Sequence, residues 1–176
     1  DWQKSKDYLL DFEGLLILDA DALNRISESK LGSKFFLERE FKTWITPHRR
    51  EFLRLFPDIK SETNVGLALS AAKEFNISIL LKGANSIVAN NKKAWQLFGT
   101  DSQTARAGLG DLLFGFIAGS SAIDLTFCRD ITTDFFAKYV LLHSFAASKC
   151  KNGSNAFAIG DELSKLMRNR KTRQIS

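Results

Sequence analysis

The chain has 176 residues, of which 44% are hydrophobic and 26% are charged, a composition typical of one globular domain with a substantial core. Its two cysteines, Cys128 and Cys150, lie far apart without a CxxC pair or a histidine cluster, which argues against a zinc site and a disulfide framework. The net charge of +5 suits anionic ligands, but it does not by itself indicate nucleic-acid binding.

The sequence contains no targeting or membrane signal that we can identify. No run of about 18 uninterrupted apolar residues occurs, and residues 1–11 are polar, without the apolar core of a signal peptide. We therefore predict a soluble cytoplasmic protein with no membrane partner and no nucleic-acid partner. The first residue is not Met, so we expect the natural chain to begin upstream.

Short apolar runs that end in polar or glycine-bearing turns predict strands buried on both faces of a parallel sheet. These runs are residues 15–18, 43–45 and 77–81. Helical patterns lie between them, at residues 35–40, 49–56 and 62–75. This alternation predicts an α/β layered fold. Residues 86–89 and 94–98 then predict a hairpin at the sheet edge, turned by Asn90 and Asn91.

The composition of the chain changes after the hairpin. Residues 104–110 form a loop of small residues and glycines, and it leads directly into an apolar helix at 111–119 that we expect to be buried. Residues 131–149 and 158–167 predict two more helices, followed by a flexible basic tail at 168–176.

The junction Gly108, Leu109, Gly110, Asp111 has the features of an anion site. Glycines let a backbone approach a phosphate closely, and the free amides and the dipole at a helix start favour negative charge. Asp111 in the first turn then stands beside that site. A helix-capping aspartate after a flexible turn is the simpler alternative.

Four segments together resemble the NAD(P)H-hydrate dehydratases of the ribokinase-like superfamily. They are residues 18–24 (LDADALN), 45–52 (ITPHRREF), 81–86 (LKGANS) and 107–111 (AGLGD). The resemblance covers residues 15–167 and implies a ribokinase-like three-layer α/β/α fold with a mostly parallel central sheet and an edge hairpin. The family's glycine-rich N-terminal part has no counterpart here, so we expect residues 1–176 to be the C-terminal part of a single such domain.

The resemblance also implies the chemistry. Asp111 takes the proton from the substrate hydroxyl as that oxygen attacks the terminal phosphate of ADP or ATP, and phosphate elimination then regenerates NAD(P)H. The nucleotide contacts carried over are Gly108, Leu109, Gly110 and the stretch Lys82, Gly83, Ala84, Asn85, Ser86. Leu109 stands where the family usually has Thr, which removes a hydroxyl near the phosphate. Read alone, Lys82 and Gly83 make an ordinary β-turn with an exposed lysine.

His48, which follows the second strand, is implied to touch the hydrated nicotinamide nucleotide. Its spacing to Glu51 resembles a superfamily element tied to magnesium and phosphate, in which Glu51 would act through water. A capping box is the local alternative for this pair. Asp19, Asp21 and Asn24 close the first strand and are expected to lie near the same Mg²⁺, although Asp21 and Asn24 are also good helix-start residues. His143 fits a core histidine.

Two other functions remain open from the sequence. One is a nucleotide-binding remnant without turnover, because the N-terminal substrate elements are not in the sequence. The other is a small-molecule kinase of the same superfamily, which His48 disfavours because those kinases typically carry Asn there. The expected partners are hydrated NAD(P)H and an adenine nucleotide, with a homo-oligomer in the full-length form.

Overall fold

The computed structural model describes residues 2–97, 108–128, 130–150 and 154–173. Two units divide the chain, Asp1–Phe98 and Gly99–Ser176. The first unit contains, in order, α1 (Trp2–Asp11), β1 (Leu16–Leu18), α2 (Ala20–Glu28), a 3-10 turn (Gly32–Lys34), α3 (Phe35–Glu38), β2 (Thr43–Ile45), α4 (Arg49–Leu55), α5 (Asn64–Phe75), β3 (Ser78–Leu81), β4 (Ser86–Ala89) and β5 (Ala94–Leu97). The second contains α6 (Leu109–Phe127), α7 (Thr133–Lys149) and α8 (Ala156–Arg173).

The five strands form one sheet in the order of the sequence. β1 and β2 pair in parallel, as do β2 and β3. β4 pairs antiparallel with both β3 and β5. The α/β class, the three predicted strands and the edge hairpin are confirmed. The sheet is mixed because the chain reverses direction at residues 82–85, which connect β3 to the antiparallel strand β4.

Aromatic packing fills the core of the first unit. Phe56 contacts Phe75 and Phe52 with ring centroids 4.9 Å and 5.0 Å apart, and Phe36 lies against the same group. Trp44 of β2 is completely buried. These residues come from α3, α4, α5 and β2, so packing among elements distant in sequence holds the sheet and its helices together.

Sequence patterns did not predict α1 or α2 as helices. α1 is held by Arg39, whose guanidinium donates to the carbonyl oxygens of Leu9 (2.5 Å) and Gly14 (2.7 Å) and to Thr43 Oγ1 (3.0 Å). Burial lowers the pKa of this guanidinium, which pairs with neutral acceptors here. Leu23 and Ile26 of α2 are buried, so the helical spacing of this segment was a readable signal.

The second unit corrects one prediction. Of the 19 residues of α6 only Ile117, Ser120 and Ser121 are buried, so the prediction of a buried helix was wrong. An apolar composition indicates the tendency to be covered, whereas burial depends on what packs against the helix. Helix α8 runs to Arg173, so residues 168–173 of the predicted basic tail lie within a helix, while the flexibility of that tail stays a prediction. Residues 174–176 lie outside the described residues.

Helix α6 is also long and apolar enough to cross a membrane, the only such helix among the described residues. This finding rests on length and composition, and core helices of soluble proteins share both properties.

Candidate active site

The carboxyl ends of β1, β2 and β3 bring three of the predicted segments together. The amide of Thr46 donates to the carbonyl of Leu18 at 3.1 Å, and the amide of Lys82 donates to the carbonyl of Pro47 at 2.9 Å. A parallel bridge also pairs His48 with Lys82. The residues that follow the three strands therefore lie side by side at one edge of the sheet, where ligands of open α/β sheets bind.

Asp19 and Lys82 form an ion pair across this edge. Lys82 Nζ lies 2.7 Å from Asp19 Oδ1, and the two side chains are 23% and 10% exposed. Asp19 occupies the N-cap position of α2, yet its side chain caps no amide. The next residue, Ala20, has a φ of +46°, an uncommon conformation for a residue with a Cβ. We therefore find Asp19 engaged by an ammonium group.

His48 and Glu51 form a capping box at the start of α4. His48 Nδ1 accepts from the amides of Arg50 (3.0 Å) and Glu51 (3.2 Å), and the His48 amide donates to Glu51 Oε2 at 2.8 Å. Because Nδ1 accepts, the neutral ring carries its proton on Nε2, which lies 3.2 Å from Glu51 Oε1. The capping alternative is thus present, and both carboxylate oxygens of Glu51 contact His48.

Asp21 and Asn24 both lie on α2, behind Asp19. Asp21 is exposed in the first turn of the helix. Asn24 Oδ1 is buried and has no hydrogen-bond partner among the described residues. Neither side chain contacts Lys82 or His48 in a described hydrogen bond, so their predicted proximity to a metal stays a prediction.

A cleft of about 450 Å³ opens beside the Lys82 turn, within the first unit. Residues 83–85 form one wall, residues 63–65 at the start of α5 form another, and Ile87 and Gln96 of the hairpin complete it. Ser86 closes the turn by donating its hydroxyl to the Gly83 carbonyl at 3.2 Å. Sequence reasoning missed residues 63–65 and Gln96, because no local motif connects them to the turn.

In the second unit, α6 begins at Leu109, two residues before the predicted start at Asp111. Gly108 is the N-cap in a left-handed conformation, with φ +82°, and the amide of Leu112 donates to its carbonyl at 2.9 Å. Leu109 and Gly110 open the helix, and Asp111 is exposed in its first turn. A Cβ at Gly110 would meet no atom of a described residue within 4 Å, so these residues leave open space next to the turn. Residues 104–107 of the predicted loop lie outside the described residues.

Asp111 also lines one end of a groove of about 690 Å³ between α6 and α8. Most of the remaining lining is apolar or small, including Gly115, Gly119 and Phe157. The carboxylate thus sits where a helix start meets a space large enough for a small molecule.

A sequence model of the family described as NAD(P)H-hydrate dehydratase, of the carbohydrate-kinase type, matches residues 2–168. The chain belongs to the NAD(P)H-hydrate dehydratase family. A bifunctional NAD(P)H-hydrate repair enzyme from Synechocystis is 37% identical to this dehydratase-family chain over 105 residues. That alignment covers 59% of the chain and 20% of the relative.

Solved structures show that the dehydratase-family chain has a ribokinase-like fold. A ribokinase-like superfamily protein from Enterococcus faecalis matches with a TM-score of 0.77 and 22% identity, over 95% of this chain and 58% of its own. An ADP/ATP-dependent NAD(P)H-hydrate dehydratase from Bacillus subtilis matches with a TM-score of 0.72 and 23% identity, over 95% and 60%. The chain therefore spans a fifth of the curated relative and about three fifths of the solved ones.

No group of three or more His, Cys, Asp or Glu side chains suited to a metal occurs among the described residues. The described side chains therefore fit a magnesium ion only if nucleotide phosphates and water supply most of its ligands, which is how Mg²⁺ commonly binds beside nucleotides. Of the carboxylates that the sequence singled out, Asp19 already pairs with Lys82 and Glu51 already contacts His48.

Proposed function

We propose that the protein carrying this chain dehydrates hydrated NAD(P)H to NAD(P)H, with ADP or ATP as the phosphoryl donor. The observation that carries the proposal is the family match over residues 2–168, because it includes all four of the segments that resemble the dehydratases. The Bacillus subtilis relative, which was crystallised with ATP and Mg²⁺, supports the choice of donor.

In the proposed reaction Asp111 is the general base. Its carboxylate accepts the proton of the substrate hydroxyl while that oxygen forms a bond to the terminal phosphorus of the nucleotide. The bond from this phosphorus to the bridging oxygen breaks, so ADP leaves as AMP and ATP leaves as ADP. Loss of the new phosphate and of a ring proton then restores the dihydronicotinamide. Exposure of Asp111 at the first turn of α6 leaves the carboxylate accessible to substrate.

We assign the transferring phosphoryl group to the start of α6. The amides of Leu109 and Gly110 are unpaired in the helix, as at every helix start, and the open space beside Gly110 leaves room for phosphate oxygens. The left-handed Gly108 sets the direction of these amides. Magnesium, when bound, would neutralise charge on the phosphates.

Residues of the first unit are proposed to bind the two substrates. The turn from Lys82 to Ser86 contacts the nucleotide, with the Lys82 ammonium as its positive group. His48 offers its 47% exposed ring to the hydrated nicotinamide nucleotide. Because Nδ1 and the backbone amides fix this ring, its orientation requires no further ordering when substrate binds.

The test incubates the full-length protein with hydrated NADH and then hydrated NADPH, each with ADP or ATP, and follows the dihydronicotinamide absorbance. Recovery of absorbance that requires a nucleotide supports the proposal. No recovery with either donor, while nucleotide binding persists in calorimetry, identifies the binding remnant instead. Transfer of phosphate to a sugar or a hydroxymethylpyrimidine without absorbance recovery identifies the kinase.

A cytoplasmic location and a homo-oligomeric full-length protein belong to the same proposal. The location is supported by Cys128 and Cys150, both of which are free. Light scattering on the full-length protein measures the oligomeric state, and fractionation of cells measures the location.

A further inference from the structure

Two arginines, Arg49 and Arg50, directly follow His48 at the start of α4. Both residues are exposed, and neither forms an ion pair with another described residue. Arg49 donates from its guanidinium to the neutral Asn64 Oδ1, whereas Arg50 contributes only its backbone amide to the capping box. Two guanidinium groups with most of their donors free therefore lie beside the exposed ring of His48.

The carboxylates at this edge of the sheet are engaged elsewhere. In Glu51, which belongs to the same helical turn, Oε2 accepts from the His48 amide at 2.8 Å and Oε1 lies 3.2 Å from His48 Nε2. Asp19 is held by the ammonium of Lys82 at 2.7 Å. The positive charge of the two arginines is thus left for a ligand.

The arginines also occupy an unfavourable position in their own helix. The dipole of a helix places partial positive charge at its start, which disfavours cations there and favours them at its end. Arg54, exposed in the last turn of α4, lies at the favourable end. The amides of Arg50 and Glu51 are already bound by His48 Nδ1, so an anion at this position is bound by arginine side chains and not by the helix start itself.

Arginines in a first turn reach back past the start of their helix. The Cα–Cβ bonds of an α-helix tilt toward its N-terminus, so the side chains of Arg49 and Arg50 extend toward the sheet edge where β2 ends. The contact of Arg49 with Asn64, at the start of α5, agrees with this direction. His48 lies at the same edge, in a parallel bridge with Lys82.

We propose that Arg49 and Arg50 bind the diphosphate bridge of the hydrated nicotinamide dinucleotide. Hydrated NAD(P)H carries this bridge one ribose away from the ring that His48 is proposed to contact, which suits long side chains that follow His48 directly. Guanidinium groups bind phosphate oxygens through paired N–H donors. This inference rests on the proposed function, and neither the family match nor the resemblance assigns a role to either arginine. Hydrated NADH and hydrated NADPH share the bridge, so both gain affinity equally.

The experiment measures Kd by calorimetry with the full-length protein and saturating ADP, so that the nucleotide site is filled. The probes are NADH and NADPH, the products of the proposed reaction, and dihydronicotinamide riboside, which has the ring and its ribose but no phosphate. The variants are Arg49→Gln and Arg50→Gln. The matched control is Arg54→Gln, which removes the same charge from an exposed position of the same helix.

We expect Arg50→Gln to weaken NADH and NADPH by the same factor, about tenfold, which is modest for a charge-assisted contact because the side chain is exposed. Arg49→Gln should weaken both dinucleotides less, because this guanidinium shares its donors with Asn64. The affinity for the riboside should not change in either variant. Arg54→Gln should change the NADH Kd by less than about twofold.

The inference is overturned if Arg49→Gln and Arg50→Gln bind NADH as Arg54→Gln does, or if they weaken the riboside as much as NADH. A loss confined to NADPH would assign the arginines to the 2′-phosphate and overturn the diphosphate assignment. Titration of ADP alone supplies a further test, because a loss of ADP affinity equal to that of NADH would assign the arginines to the phosphoryl donor instead.

Failure of this inference is distinct from failure of the proposed function. Nucleotide-dependent recovery of NADH, with an NADH Kd that is unchanged in both variants, removes the arginine assignment alone. Arginine-dependent NADH binding without recovery from hydrated NADH removes the reaction alone.

Discussion

The two units differ in how they bury their side chains. The first surrounds its sheet with a dense aromatic core, in which Phe52, Phe56 and Trp44 are completely or almost completely buried. The described part of the second unit contains three helices and leaves Phe127 and Phe157 more than four-fifths exposed. The first unit carries the ion pair, the capping box and the cleft, whereas the second carries the proposed general base. We therefore expect substitutions in the two units to have different effects on the reaction rate and on the free energy of unfolding.

The largest expected effect is chemical and belongs to the second unit. Asp111→Asn removes the proposed base while keeping the shape of the side chain, so we expect kcat to fall by about 10² to 10⁴ and the Kd for ADP to stay the same. Single-turnover recovery of NADH measures the rate of the chemical step. Asp161→Asn is the control, because Asp161 lines the same groove on α8. A normal rate in Asp111→Asn contradicts the assignment.

A core substitution tests the packing difference. Phe56→Ala should lower the free energy of unfolding by about 3 to 5 kcal/mol, because the ring is buried and contacts three other aromatic rings. Phe157→Ala on α8 should change it by less than about 0.5 kcal/mol, because that ring is 84% exposed. Urea unfolding gives both values. Equal losses would show that the exposure of α8 is not retained in solution.

The pH dependence of the free energy of unfolding tests the burial of His143 in the second unit. Burial lowers the pKa of His143 from 6.5 to about 4. The unfolded chain therefore takes up a proton at higher pH than the folded chain, so stability is complete above about pH 6.5 and falls as the pH drops toward 4. We expect this residue to account for about 2 to 3 kcal/mol between pH 7.5 and 4.5.

His143→Leu should reduce the stability difference between these two pH values by that amount. The parent protein, unfolded in urea at the same two pH values, is the control. His143 Nε2 is buried with no partner among the described residues, which is the physical reason for the shift. An unchanged difference in the variant would mean that the ring is hydrated in the folded protein.

The smallest expected effect concerns the ion pair of the first unit. Asp19→Asn leaves the partly buried Lys82 ammonium without its counter-charge and should cost about 1 to 2 kcal/mol of unfolding free energy, less than for a fully buried pair. Asp21→Asn, in the exposed first turn of α2, loses only its interaction with the helix dipole, worth about 0.3 to 1 kcal/mol. Thermal unfolding of both variants compares them, and a larger loss in Asp21→Asn contradicts the role given to Asp19.

Local patterns were sufficient where one segment determines its own structure. The three strands were readable because each is a short apolar run that ends in polar residues, and the start of α6 was readable from Gly108. The same holds for His48 and Glu51, whose spacing already allowed a capping box. Helix α1 was not predicted, because the residue that holds it is distant in the sequence. Arg39, some 30 residues along the chain, donates to the carbonyl of Leu9.

The sequence by itself determined the family, the α/β class and the segments from which the candidate site is built, because these depend on side-chain periodicity and short-range motifs. Only the tertiary structure decided which groups meet. Asp19 and Lys82 are 63 residues apart, and Gln96 joins residues 63–65 at the cleft solely through sheet register and helix packing. Partners at such distances are selected by the whole core, which no local pattern encodes.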